Sequence, residues 1–243
     1  MIKALRALDY IVEQSMLTKG VALSEVAAAL SLQPSNMRNL LKTLEIAGYV
    51  GRAGKLYVPG PHCRSVVRAG RAGSELLAYL RPVIQAAASD LGESLVLATI
   101  INGQRQVLYR REGNAEIVAS LSHNEGRNFY DLVTNQIIIA FMTEDERREI
   151  ITLHGVPENI FPDVQCENDF FTLLDKLRQQ GFAESYPSES MYALALPLLD
   201  GQGIILGSLG VYVPAFRASD AQKQLLKNSL RTIRINTECH FTE

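Results

Sequence analysis

The chain has 243 residues, 47% of them hydrophobic and 21% charged, and carries a net charge of −2 at pH 7. That length makes one large domain or two smaller ones, and the apolar share excludes a wholly disordered chain. No run approaches the roughly 20 apolar residues that cross a bilayer, and the opening MIKALRALDYIVEQ is too charged for a secretory signal.

Cys63, Cys166 and Cys239 lie far apart and are odd in number, which argues against a disulfide framework. A cytoplasmic protein without membrane contact is the expectation. The small net charge conceals an asymmetry: residues 1–70 hold nine Lys/Arg against four Asp/Glu, a net of +5. The rest of the chain is acidic. A basic piece ahead of an acidic one fits a polyanion-binding module joined to something else.

Ile2, Leu5, Leu8, Ile11 and Val12 recur at helical spacing, predicting a first amphipathic helix that ends near Lys19-Gly20. Leu23, Val26, Ala27 and Leu30 predict a short second helix. Pro34 then stands where a first-turn proline is tolerated, and a third helix runs to about Ala47, with Gly48 ending it. Residues 49–52 and 55–58 read as two short strands around an Ala53-Gly54 turn. Three helices and a hairpin make an all-α winged helix-turn-helix with a small β-hairpin, expected over residues 1–60.

The third helix carries the functional signal. Met37, Leu40, Leu41 and Leu44 form its buried stripe, which turns Ser35, Asn36, Arg38, Asn39 and Lys42 outward. A recognition helix meets base edges and phosphates with short polar and basic residues in its first turns. Arg forks onto guanine and Asn onto adenine, while Ser and Lys suit phosphate oxygens. Arg52 and Lys55 flank the wing tip, where they would hold the neighbouring DNA backbone. The alternative for the whole face is an ordinary solvated helix surface.

Pro59-Gly60-Pro61 opens a linker, and Leu76, Leu77, Leu80, Val83, Ile84 and Ala87 predict a linker helix, giving a linker region over residues 61–90. From residue 91 the reading is a second domain. SLVLATII and QRQVLYRR flank Asn102-Gly103, a strong hairpin signal, and a third strand is expected at Glu116–Leu121. Helices follow over about 131–142, from a Thr143–Glu146 capping box, and from a cap at Asn168 to Gly181. Two strands, 191–198 and 204–213, surround the Asp200–Gly203 turn, and Ser219 with Gln222 opens the closing helix. Strands, then helices, then strands make an α+β domain with helices packed on an antiparallel sheet.

The segments LLKTLEIAGYV, YLRPVIQ, SLVLATIINGQRQVLYR, GFAESYPSES and YALALPLLDGQGIILGSLGVYVPAFR, in this order, resemble the IclR family of bacterial transcription regulators across essentially the whole chain. The resemblance implies a GAF-like second domain that binds a small effector, and a homodimer or homotetramer whose binding to operator DNA the effector shifts. It places candidate effector contacts at Tyr130, Asp131, Ser188, Glu189, Ser190, Ala193 and Tyr212. Four departures stand out. Asn39 occupies a usual arginine position, and GRNFYDLVTNQIIIAFM lacks the customary proline and Ala-x-Gly-Lys element. Ser190 replaces a glycine and Ala193 a frequent cysteine. A reshaped effector site and a different operator preference are therefore expected.

His62, His123, His154 and His240 show no metal-ligand spacing, and neither a nucleophile elbow nor a phosphate loop is present. No metal or other cofactor and no catalysis are expected. Two rival readings remain at this point: a thiol enzyme using Cys166, and a winged helix that binds protein rather than DNA.

Overall fold

The computed structural model describes residues 2–15, 17–63, 66, 70, 75–114 and 128–242. The chain divides into two compact units, Met1–Val67 and Arg68–Glu243.

The first unit consists of α1 (Ile2–Ser15), α2 (Leu23–Ala29), α3 (Pro34–Ile46), β1 (Val50–Ala53) and β2 (Leu56–Pro59). Ala7, Ile11, Val26, Ala27, Met37, Leu41 and Leu44 from the helices close on Val50 and Tyr57 from the hairpin. Helix α1 stops short of the expected Lys19-Gly20, because Val21 is drawn into a two-hydrogen-bond bridge with Tyr57, at 2.9 and 2.8 Å. At the other end of the motif, α3 finishes in a Schellman turn. Tyr49 N donates to Leu44 O at 2.9 Å and Gly48 N to Glu45 O at 3.0 Å, with Gly48 at φ +73°. The hairpin loop is Gly54-Lys55 and not Ala53-Gly54, since Ala53 pairs with Leu56. Gly54, at φ +64°, takes the first loop position, where a type II′ turn needs a glycine.

The second unit opens with α4 (Leu77–Leu91), followed by the hairpin β3 (Ser94–Ile101) and β4 (Gln104–Arg111). Asn102 and Gly103 turn it with φ of +51° and +71°, both left-handed as a type I′ turn requires. A short 3-10 turn at Phe129–Asp131 leads into α5 (Val133–Phe141), α6 (Glu144–His154) and α7 (Glu167–Gln180). Then come β5 (Ala183–Ser188), β6 (Met191–Leu199), β7 (Ile205–Pro214) and α8 (Asp220–His240). The five strands form one antiparallel sheet in the order β4-β3-β7-β6-β5.

Helices cover both faces of this sheet. Leu80, Ile84 and Ala88 of α4 and Leu226, Leu230 and Ile233 of α8 pack on Leu95, Leu97, Leu194, Leu209 and Val211. The helix expected as a linker is therefore an integral layer of the second unit. On the opposite face, Val133 and Ile137 of α5 meet Val96, Ala193, Ala195 and Tyr212, with Phe170 and Leu174 of α7 stacked beyond. Burial on both sides explains why β3, β6 and β7 read as continuous apolar runs and not as alternating ones.

The capping box expected at Thr143 forms, and Ser219 opens α8 by accepting from Gln222 N at 3.3 Å, but α7 has Cys166 at its N-cap position and starts at Glu167, ahead of the expected cap at Asn168. The expected strand at 116–121 lies outside the described residues. Among the described residues no helix is long and apolar enough to cross a membrane.

Two polar anchors hold α5. At its start, Asn135 Nδ2 donates to Phe129 O and Gln136 Nε2 to Tyr130 O, both at 2.8 Å. At its end, the buried Arg147 of α6 donates from Nη2 to Ala140 O (2.6 Å) and from Nε to Ile139 O (3.3 Å), and pairs with Asp175 of α7 at 2.8 Å.

Tyr130 is 1% exposed and donates to Gly155 O at 2.7 Å, and burial pushes its pKa up from 10.0 to about 12. Tyr192 is raised in the same direction by burial and by its 2.6 Å hydrogen bond to Glu184. A tyrosine that holds its proton longer folded than unfolded contributes stability that is complete below the unfolded pKa and lost above it. The unfolding midpoint in urea should therefore fall as pH rises from 10 towards 12, and less steeply in Tyr130→Phe. An identical fall in both proteins would place the alkaline transition elsewhere.

Candidate functional site

The first candidate surface is built on α3. Met37, Leu41 and Leu44 are buried as expected, while Leu40 is only half-buried. Pro34 fixes the first helical position. Ahead of it, Ser31 takes φ +51° and Leu32 N returns to Ala27 O at 2.9 Å, which makes the tight turn between α2 and α3. With three core positions pinned, Ser35, Asn36, Arg38, Asn39 and Lys42 all stand exposed along the first half of the helix and into its third turn. The structure brings these five together on one face. Lys55 is exposed at the tip of the β1–β2 hairpin.

Arg52, expected beside the wing tip, stands exposed on β1 and makes contacts of its own. Its Nε lies 3.0 Å from Glu45 Oε1, its Nη2 donates to Tyr57 Oη at 2.7 Å, and its guanidinium carbon sits 4.4 Å from the Tyr57 ring centroid. The side chain is engaged between the end of α3 and the hairpin.

The structure places the seven expected effector contacts in three settings. Ser188, Glu189 and Ser190 form the exposed tip of the β5–β6 hairpin, with Ser188 Oγ 3.1 Å from Ser190 Oγ. Tyr130 is a core residue whose hydroxyl bonds Gly155, and Asp131 accepts from Asn128 N at 3.1 Å in a capping turn. Ala193 and Tyr212 are cross-strand partners on the sheet face beneath α5, 1% and 4% exposed. That face is lined with small residues: a Cβ on Gly210 would lie 2.7 Å from Thr134 Cγ2, so α5 seats directly on β7.

The same face carries polar groups that sequence reasoning missed. Thr134 Oγ1, Asn135 Oδ1 and Ser208 Oγ are buried without a hydrogen-bond partner among the described residues, as is Arg105 Nε. Buried polar atoms are paired in the great majority of cases. Arg105 pairs in register with Ile100, whose side chain packs into the α5–α7 layer, so the guanidinium shares that layer. Burial pulls its pKa below the usual arginine value, and nearby Tyr212 acts in the opposite sense. A fully apolar residue on either side of Arg105 would have flagged it, but QRQVLYRR reads as an ordinary polar edge strand.

A separate depression of about 210 Å³ lies between residues 161–164 and α7, lined by Phe161, Val164, Asp169 and Lys176 among others, and includes none of the expected residues. Beside it, Cys166 is exposed and donates from Sγ to Asp169 Oδ2 at 3.2 Å, which holds that carboxyl below its usual pKa. Its neighbour is a carboxylate and not the cationic partner that activates a thiolate. Among the described residues no group of His, Cys, Asp and Glu is arranged for a metal ion.

No protein-family model matches the chain. Against curated proteins it is 21% identical over 231 residues to the HTH-type transcriptional regulator KdgR of Dickeya chrysanthemi, covering 89% of this chain and 72% of that protein. Its identity to the regulator of the same name in Escherichia coli K12 is 20% over 220 residues, covering 84% and 79%. Among solved structures, the IclR of Thermotoga maritima superposes with a TM-score of 0.57 at 19% identity, covering 99% of this chain and 98% of that one. The repressor BlcR of Agobacterium tumefaciens gives 0.52 at 18%, covering 99% and 95%. The chain thus has the fold of the IclR transcriptional regulators along nearly its full length.

Proposed function

We propose that this chain, built on the IclR fold, is a sequence-specific DNA-binding transcription regulator whose operator affinity is set by a small anionic molecule. The observation that carries the reading is the exposed polar and basic face of α3, Ser35 to Lys42, presented by a winged helix-turn-helix. Helix α3 would enter the major groove and Lys55 would rest on the flanking phosphates. Two copies related by a two-fold axis would read a palindromic site with half-sites about 34 Å apart, or a multiple of that.

In the second unit, the layer between α5 and the sheet supports the ligand half of the proposal. Arg105 contributes a partly desolvated positive charge there, and Thr134, Asn135 and Ser208 contribute unpaired polar atoms. A carboxylate or phosphate would satisfy the guanidinium with strong charge-assisted hydrogen bonds. To act as a switch, the ligand must favour one arrangement of the assembly over another. A coupling of about 1–3 kcal/mol, or roughly 5–150-fold in affinity, is the expected size.

The test is to let the purified protein select duplexes from its own genome. Binding to the recovered fragments is then titrated against salt and against a panel of small organic acids. A steep salt dependence and a shift in affinity with one acid, lost in Arg105→Ala, are expected. A flat salt response would instead favour a protein-binding winged helix.

A further inference from the structure

We infer that Arg52 is a positioning residue, clamped between Glu45 and Tyr57, that sets the angle of the wing against the recognition helix and does not itself hold DNA. The inference rests on the DNA-binding reading above.

Arg52 stands on β1 directly opposite Tyr57 on β2. Its guanidinium uses Nε for Glu45 at the C-terminal turn of α3 and Nη2 for the Tyr57 hydroxyl, with the ring stacked beneath. Tyr57 is itself anchored: it is 3% exposed, and its backbone N and O both pair with Val21. One side chain therefore links α3, both hairpin strands and the Val21 segment. Only a planar, forked donor can make these contacts together; the point charge of a lysine cannot. The ion pair is roughly half in solvent, at 44% and 35% side-chain exposure, so its value lies in geometry more than in bulk stability.

The two roles for Arg52 predict opposite signs at Glu45. If Arg52 were a phosphate contact, removing the acid beside it would strengthen binding to DNA. If Arg52 is a clamp, removing the acid frees the wing and weakens binding. The probe is a duplex that the full-length protein enriches from a random-sequence pool.

With that duplex, Glu45→Ala and Arg52→Ala should each lose affinity about fivefold, and the double variant should lose no more than either, as for two residues in one contact. Glu45→Gln, which keeps an acceptor for Nε, should retain more affinity than Glu45→Ala, and Arg52→Lys should not rescue. The slope of log affinity against log salt should be unchanged in every variant, because no phosphate contact is lost. Tighter or unchanged binding by Glu45→Ala overturns the clamp. So does a salt slope shallower by about 0.9 in Arg52→Ala, the signature of one lost phosphate contact.

A second readout needs no DNA: amide hydrogen exchange in β1 and β2 of the free protein should quicken in Glu45→Ala while α1 and α2 stay protected. Unaltered exchange there overturns the clamp. Failure of the unmodified protein to enrich any duplex would strike the DNA-binding reading instead, and exchange would then decide the clamp alone.

Discussion

Replacing Arg147 by alanine is expected to destabilise the second unit by about 3 kcal/mol, the largest single effect predicted for this molecule. The residue is 5% exposed and its side chain reaches three acceptors on two neighbouring helices. Truncation strips the carbonyl of Ala140 of its charged donor and weakens the hold on that of Ile139, in a layer closed to water. Each charge-assisted hydrogen bond of this kind contributes roughly 1.5–3 kcal/mol. Asp175 matters far less, because its side chain is 60% exposed and rehydrates when the pair is broken. Asp175→Asn should therefore cost under about 1 kcal/mol. Thermal unfolding followed by circular dichroism checks the pair: a midpoint lower by about 6–12 °C is expected for Arg147→Ala. Equal shifts for the two variants would mean that the ion pair, and not the end of α5, is what Arg147 serves.

The second large effect is expected at Arg38. It stands exposed in the first two turns of α3, where a forked guanidinium can read a guanine edge. Arg38→Ala should cost about 1–3 kcal/mol on the selected duplex and relax base preference at one position in each half-site. Lys55, at the hairpin tip, makes a charge contact without a geometric code. Lys55→Ala should weaken selected and random duplexes alike and make the salt slope shallower by about 0.9. Binding isotherms on both duplexes at two salt concentrations separate the cases. Equal losses on selected and random DNA for both variants would remove the division between a reading and an anchoring residue.

The sequence is most informative where local chemistry alone decides the structure. Asn102-Gly103 dictates a two-residue turn because both positions accept left-handed dihedrals, and the hairpin appears as read. Thr143 with Glu146 and Ser219 with Gln222 place helix starts to the residue. The exposed face of α3 follows from the spacing of Met37, Leu41 and Leu44. Legibility fails where tertiary contacts outvote local preference. Strand β5, AESYPS, has neither β-branched residues nor an apolar alternation, and it exists because β6 offers it a ladder. Helix α4 reads as a spacer because nothing in its own sequence announces the sheet it covers. Arg52 and Arg105 look like any surface arginine; only their neighbours, distant in sequence or across a strand, set them apart.

Among the described residues the five-stranded sheet is bounded by β4 and β5, and these borders carry a further consequence. On one side β4 slips register between Leu97 and Ala98 of its partner and carries Arg105, Arg110 and Arg111. On the other, β5 slips between Ser185 and Ser188, with Pro187 in the gap. Kinked, cationic or proline-bearing borders make poor templates for a strand from another molecule. Among the described residues, neither border thus offers a flat, regular edge for open-ended, fibre-like growth.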